Sequence, residues 1–472
     1  MQSGDTAAVE RTDGTSTEIP LDVAAPRIPG RSVDWVRSVV VGGRSSLTIG
    51  LLFDGVASYV FLSAAARELG PDRFTVVSIL WVVLFLVGNG LFIPVEQELS
   101  RSIATRAARG SGWSTLVRRV TAASAGVLAA AIAIGVLARG RIADSLFRGD
   151  TAFVALLLFG LVGVWLMFLL RGVLSGEHRF HGYGLMFAAD GLGKAIPGIA
   201  LLMWGVWRPS SFGFIVSGSA YVGIVAGWLA LRWGRGRTAP GVLVTPDRPD
   251  VPPGWRRLTT SMGFLLLTSF LSALTINIGT VSIEVLGNRV DADKAGIFLS
   301  GLVIARIPLF LFQAIQAIVL PRLSHLAAVG DVVAFRSDLR RLNVAMASTT
   351  LAAVVGAAAL GPLAVRVLFG GEYALLGARD MALLTLASML MTAALTLNQA
   401  QIALHHQRQT GWPWGIATVA FLAVTATNGR DLFLRVELGM VAAGAVACVV
   451  VAMLVSREVR HPDHLRVETP TL

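Results

Sequence analysis

The sequence predicts an all-α polytopic membrane protein with about twelve transmembrane helices. Three observations predict it. The 472 residues are 54% hydrophobic and only 15% charged, against about 45–50% and about 25% in soluble domains; mean hydropathy is +0.68. The apolar residues fall in blocks of roughly 20, the length that crosses about 30 Å of hydrocarbon at 1.5 Å per residue. The basic residues crowd into alternate connections between those blocks.

The spans are expected near Leu47–Ala66, Phe74–Pro94, Val120–Ala138, Ala152–Leu174, Tyr183–Trp204, Ser211–Leu231, Thr260–Ile283, Gly296–Leu320, Asn343–Leu363, Met381–Ile402, Trp412–Asn428 and Val436–Val455. The eleventh is the weakest, short and bounded by Asn428 and Arg430. Residues 1–44 are polar, too long and too polar for the n-region of a signal peptide, and read as a disordered cytoplasmic leader.

Formal net charge is +11, and Lys194 and Lys294 are the only lysines. A basic chain invites a nucleic-acid reading, but here the arginines sit in short loops, so topology accounts for them. With the N-terminus inside, the inner segments carry 26 Lys/Arg and the outer loops 12. This bias places both termini in the cytoplasm of an inner (plasma) membrane protein and requires an even number of spans. Trp204, Trp207, Trp233, Trp255 and Trp412 fall at block edges, as an interfacial aromatic belt does.

The two halves repeat. Glu68-Leu69-Gly70 precedes the second span and Val285-Leu286-Gly287 the eighth. Glu98-Leu99-Ser100 and Arg322-Leu323-Ser324 end them, and basic stretches reach Arg118-Arg119 and Arg340-Arg341. Both copies start on the same side, which makes the repeats parallel. The expected division is a tail at 1–44, an N-lobe at 45–232, a cytoplasmic linker at 233–257, a C-lobe at 258–456 and a tail at 457–472. A cavity between such lobes can face either side in turn.

No phosphate loop occurs. Gly191-Leu192-Gly193-Lys194 lies inside a span and lacks the spacing, so direct ATP use is not expected. The single cysteine, Cys448, excludes a disulfide within one chain. No metal-ligand spacing and no cofactor motif is visible, and His405-His406 read as interfacial. The outer loops are too short for the acidic domain that membrane sugar-transferring enzymes use, which disfavours an enzyme.

Ionisable residues inside the spans carry the functional argument, because each costs at least about 2.5–3.5 kcal/mol at the bilayer centre. Arg306 and Lys194 fall near the midplane, each followed by a helix-disturbing proline, Pro308 and Pro197. Two such cations suit a cavity for an anion, with Arg171 as a further candidate at the inner end of the fourth span. The bland alternatives are an i, i+4 pair between Lys194 and Asp190, a carboxylate partner for Arg306 on another helix, and headgroup anchoring by Arg171. Asp54 can bind a coupling proton or cation or pair with an arginine. Glu96, Glu98 and Glu284 read as interfacial. Thr268, Ser272, Thr275, Gly279 and Ser282 share one face of the seventh span, a pattern that fits close helix packing as well as a polar cavity wall. Asn277, Gln313, Gln316, Asn398, Gln399 and Gln401 add amides suited to sugar hydroxyls or to bridging helices.

Glu68-Leu69-Gly70-Pro71, Glu96-Gln97-Glu98-Leu99-Ser100-Arg101, Arg306-Ile307-Pro308 with Leu320-Pro321-Arg322-Leu323-Ser324, and Arg171-Gly172-Val173-Leu174-Ser175-Gly176 with Arg179-Phe180 and Tyr183 resemble the polysaccharide flippases of the multidrug/oligosaccharidyl-lipid/polysaccharide (MOP) superfamily. The resemblance covers roughly residues 45–455 and is to the O-antigen (Wzx-type) branch. It implies two parallel six-helix lobes in a MATE/MOP-like arrangement around a cationic cavity. The implied cargo is a polyprenyl-pyrophosphate-linked oligosaccharide, flipped from inner to outer leaflet for cell-surface polysaccharide or lipopolysaccharide. A proton or sodium ion would couple the movement, and membrane lipids and glycan-assembly enzymes would be its partners. Lys194 and Arg306 meet the cationic requirement by position only. The rival readings are a multidrug or organic-cation antiporter of the same superfamily, a membrane-embedded sugar-transferring enzyme, and a major-facilitator-type carrier. The last lacks its Gly/Asp/Arg-rich inner loop, since Arg101–Arg119 has a different pattern.

Overall fold

The computed structural model describes residues 45–108, 112–233, 255–287, 294–308, 332–403, 411–426 and 431–460. The elements in chain order are α1 (Ser45–Ala108), α2 (Ser114–Leu137), α3 (Arg139–Leu146), α4 (Thr151–Gly176), α5 (Phe180–Met203), α6 (Pro209–Trp233), α7 (Trp255–Leu286), α8 (Lys294–Ala305), α9 (Val332–Phe369), a 3₁₀ turn at Gly371–Tyr373, α10 (Ala378–Ala403), α11 (Trp412–Thr425) and α12 (Leu432–Arg460).

Nine described helices are long and apolar enough to cross a membrane, and α8 and α11 are shorter apolar helices. Helix α1 is 64 residues long and holds two spans. Each of the twelve expected spans thus contains described helix, the eighth over its first half only. Large side chains such as Leu137 (86% exposed), Leu351 (68%) and Met453 (58%) point outward from the bundle. Apolar faces of that extent need lipid rather than water.

The expected loop between the first two spans is absent. Gly70 carries φ 68 and ψ 168, and the chain turns there without leaving helical structure on either side. An L residue meets a steric penalty at such φ, and glycine does not. In the second half the corresponding Leu286-Gly287 does end helix α7. Local chemistry fixes other ends. The Asp150 side chain accepts from the Ala152 N–H at 2.9 Å and caps α4, and Pro413 occupies the first turn of α11, where its missing N–H costs nothing. At 14 residues α11 is about 21 Å long, shorter than a full crossing. Helix α5 runs unbroken through Pro197. The break expected there does not occur, since the packing of neighbouring helices tolerates proline inside a membrane helix.

Glycines let helices α1, α5 and α6 approach until backbones touch. A Cβ on Gly184 would lie 2.1 Å from the Ser46 carbonyl oxygen, and one on Gly50 would lie 2.2 Å from the Gly184 carbonyl oxygen. Small residues serve the same end in other membrane bundles.

The first and second halves meet at the end of the bundle that carries Gly70. The Gly296 N–H donates to Thr75 Oγ1 at 3.0 Å, so the second span of each half starts against the other. The buried Tyr373 hydroxyl donates to the Ala66 carbonyl at 3.0 Å, and its ring stands edge-on to Phe74 at 5.9 Å. Arg67 donates to the carbonyls of Val367 and Leu368. Arg148 pairs with Asp72 at 2.7 Å and with Glu284 at 3.2 Å, joining the α3–α4 turn to the kink of α1 and the end of α7.

Candidate functional site: ionisable groups between the helices

Lys194 and Asp190 lie one turn apart on α5. Gly191 between them packs on α1: a Cβ there would meet the Ala57 Cβ and the Asp54 Cα at 3.0 Å. That close approach brings Asp54 to the amine. Lys194 Nζ donates to Asp190 Oδ2 at 2.8 Å and lies 2.7 Å from Asp54 Oδ1. The amine also stands 5.6 Å from the centre of the Trp81 ring. Lys194 is 4% exposed and Asp190 7%. With all three groups ionised the triad carries one net negative charge. The i, i+4 pair considered from the sequence is therefore present, and Asp54 is a second partner that local spacing does not reveal.

Arg171 on α4 turns inward. Its guanidinium pairs with Glu96 at 3.0 Å, donates to the Tyr183 hydroxyl at 2.9 Å, and lies over the rings of Phe168, Phe187 and Tyr183 at 4.3, 5.0 and 5.6 Å. Tyr183 donates in turn to Glu96. Arg171 and Glu96 thus have each other as partners, both half-buried. Arg171 is also in electrostatic range of Asp190 and Asp54. The first half thus contains two cations and three carboxylates in one connected network.

Arg306 differs. Helix α8 ends at Ala305, and a turn begins at Arg306, whose N–H is shared between the Leu302 and Val303 carbonyls at 3.1 and 3.3 Å. Pro308 two residues on cannot continue the hydrogen-bond ladder. The guanidinium donates to the Ile276 carbonyl at 2.8 Å, and no carboxylate pairs with it among the described residues. Its neighbour from the first half is Tyr59 on α1, whose hydroxyl donates to the Val303 carbonyl at 2.6 Å. Arg306 therefore sits where the two halves face each other, half-buried. Ile276 is ten residues from the end of α7, about 15 Å along the helix axis.

The remaining candidates scatter. Asn277 donates to the Ala273 carbonyl of its own helix at 2.9 Å. Among the described residues, the buried Asn398 side-chain oxygen and both ends of the buried Gln401 amide have no hydrogen-bond partner. Gln313, Gln316 and His405-His406 lie outside the described residues. The polar face of the seventh span packs inward. Thr268, Ser272 and Thr275 donate to carbonyls one turn back, Thr275 also meets Thr418 at 2.9 Å, and Gly279 sits against Met440.

No protein-family model matches the chain. Uncharacterized proteins of Mycobacterium bovis and Mycobacterium tuberculosis are each 27% identical over 402 residues, which cover 82% of this chain and 83% of theirs. Among solved structures, a point mutant of the Vibrio cholerae MATE transporter VcmN superposes with a TM-score of 0.61 at 13% identity, covering 92% of this chain and 99% of that one. An inward-facing multidrug resistance MATE family transporter of the MOP superfamily gives 0.59 at 15% identity, covering 88% and 98%. The lipid II flippase MurJ in an inward closed conformation gives 0.59 at 11% identity, covering 88% and 89%. The chain has the MATE/MOP fold. The contacts around Gly70, Thr75, Gly296 and Tyr373 join the first half of the chain to the second at one end.

Proposed function

We propose that this chain is an alternating-access carrier that flips a polyprenyl-pyrophosphate-linked oligosaccharide from the inner to the outer leaflet. Arg306 carries the reading: a cation without a carboxylate partner among the described residues, placed where the lobes face each other. A pyrophosphate cannot cross bare hydrocarbon, because burying an unpaired charge costs tens of kcal/mol in a low-dielectric medium. A wet cavity with a guanidinium that has no carboxylate partner among the described residues lowers that barrier and offers a fork of donors matched to phosphate oxygens, while the polyprenyl tail stays in lipid. Lys194 and Arg171 are neutralised by their own carboxylates and hold the first lobe together. The arginine bias of the loops supports a Gly70 end on the outer side, and the lobe-to-lobe contacts there fit a state closed to the outside. Drive comes from an ion gradient or the membrane potential, about 2.3 kcal/mol per charge per 100 mV. The Asp54–Lys194–Asp190 triad is suited to binding a coupling proton or sodium ion.

The test is complementation of a strain lacking its O-antigen flippase. The wild-type chain restores surface glycan, and Arg306→Ala, present at equal level in the membrane, does not. Equal restoration by both sinks the anionic-cargo reading. The carboxylates of the triad beside Trp81 favour a second reading, export of organic cations. Raised resistance to cationic drugs that depends on Asp54, with no glycan export, would establish that alternative.

A further inference from the structure

Glu437 on α12 is buried at 0% exposure, and neither carboxyl oxygen has a hydrogen-bond partner among the described residues. It is not part of the Arg306 or Lys194 sites. Helix α12 lies against α10, with Gly444 close to Leu390 and the Ala387 carbonyl. Seven residues earlier on both helices, Glu437 comes level with Asp380, and the two are in electrostatic range.

Among the described residues, the cations around it are already committed; Arg430 lies outside them. Asp380 accepts from the Gly377 N–H at 2.8 Å and from Arg379 at 2.7 and 3.0 Å. Arg379 is also in range of Glu437, but its side chain is 58% exposed. Asp431 adds a second acid. Arg435, on the same helix, directs its guanidinium to the Thr425 carbonyl at 2.6 and 3.0 Å. Helix α11 has no ionisable residue between Trp412 and Thr425, and Glu284 of α7 is held by Arg148. An ionised Glu437 would thus be a carboxylate without a donor, facing two further acids, which is the costliest state for a buried group. Protonation removes the charge and turns one oxygen into a donor. The Thr425 hydroxyl, buried and without a hydrogen-bond partner among the described residues, lies against Gly439, two residues along from Glu437.

We infer that Glu437 is a proton-binding site of the second lobe, loaded as the neutral acid in this conformation and reached from the surface through the Arg379–Asp380 turn. Its role in transport rests on the carrier reading; the proton itself does not. Rearrangement of α10 against α12 would expose the acid and release the proton, giving the second lobe its own exchange with the side that carries Arg379.

Difference infrared spectroscopy on the purified protein in lipid nanodiscs, between acid and alkaline buffer and in light and heavy water, reads the site without any cargo. The expected result is a protonated-carboxyl C=O band at neutral pH. Glu437→Gln removes it, and Asp54→Asn and Asp190→Asn leave it in place. Glu437→Gln should also melt like the wild type, because it copies the neutral acid, whereas Glu437→Ala melts lower. A spectrum unchanged by Glu437→Gln overturns the proposal. So does an ionised Glu437 whose protein gains thermal stability on replacing choline chloride with sodium chloride, which would make the site a cation site. Failure here leaves the Arg306 complementation result untouched, and the reverse holds equally.

Discussion

Replacing Lys194 with methionine tests whether the triad is structural in the way its geometry requires. The change keeps the side chain's length and apolar stem and removes the one positive charge between two carboxylates. Asp190 Oδ2 loses its donor at 2.8 Å and Asp54 Oδ1 its ion pair at 2.7 Å. Removing one partner of a buried pair costs about 3–5 kcal/mol, because the remaining charge stays buried and uncompensated. The Asp54 side chain is 19% accessible and can recruit water, which moves the expectation to about 3 kcal/mol. For a unit the size of one lobe that corresponds to a fall of roughly 6–12 °C in melting midpoint. Circular-dichroism melting of the purified protein, at one scan rate for every variant, reads it. The double variant Asp54→Asn/Asp190→Asn strands the lysine instead and should fall similarly. Lys194→Met/Asp54→Asn/Asp190→Asn removes every charge and should recover most of the loss, since a neutral replacement of a buried ion cluster is often close to isoenergetic. The reasoning fails if Lys194→Met melts with the wild type, or if the triple variant melts below the single one.

Two further expectations follow from contacts elsewhere. Arg148→Ala removes the bridge between Asp72 and Glu284, worth about 0–1 kcal/mol per partly exposed pair. Spin-label distances across the Gly70 end should shift toward longer separations, and exchanging the pair as Arg148→Glu/Glu284→Arg should recover part of the short population; unchanged distances would show that the bridge does not hold the lobes. Gly184→Ala places a Cβ 2.1 Å from the Ser46 carbonyl, where only backbone can give way, so overpacking by about 1–3 kcal/mol is expected. Gly126→Ala, with nothing within 4 Å, is the control, and equal melting of the two variants would refute the close α1–α5 crossing.

Most of the architecture is legible in the sequence because its causes are local. A lipid-spanning helix must satisfy every backbone group internally, so each apolar block of sufficient length had one available structure. The Gly70 turn was harder to read. Gly-Pro after an apolar block suggests a loop, yet Gly70 alone supplies the backbone angle and Pro71 starts the next helix at a position where its missing N–H costs nothing. The polar stripe of the seventh span shows the opposite ambiguity. A cavity wall and a packing seam both need small polar residues at helical spacing, and Thr275 meeting Thr418 decides for the seam.

Which charges already have partners was the part that sequence could not supply. The pairing of Lys194 with Asp190 was visible at i, i+4, but Asp54 joins them from the far end of the lobe's sequence through a glycine contact. Arg171 on α4 finds Glu96 on α1, and neither contact leaves a period in the chain. This changes the functional argument. Counting cations near the midplane gives two or three equivalent candidates for an anion, whereas subtracting carboxylate partners leaves Arg306 alone among the described residues. The same subtraction, applied to the fully buried acids among the described residues, leaves Glu437. Among the described residues, a base without a carboxylate partner where the two halves face each other and a buried acid without a cation carry two uncompensated costs. These two costs are what the proposals of an anion for the arginine and a proton for the glutamate address.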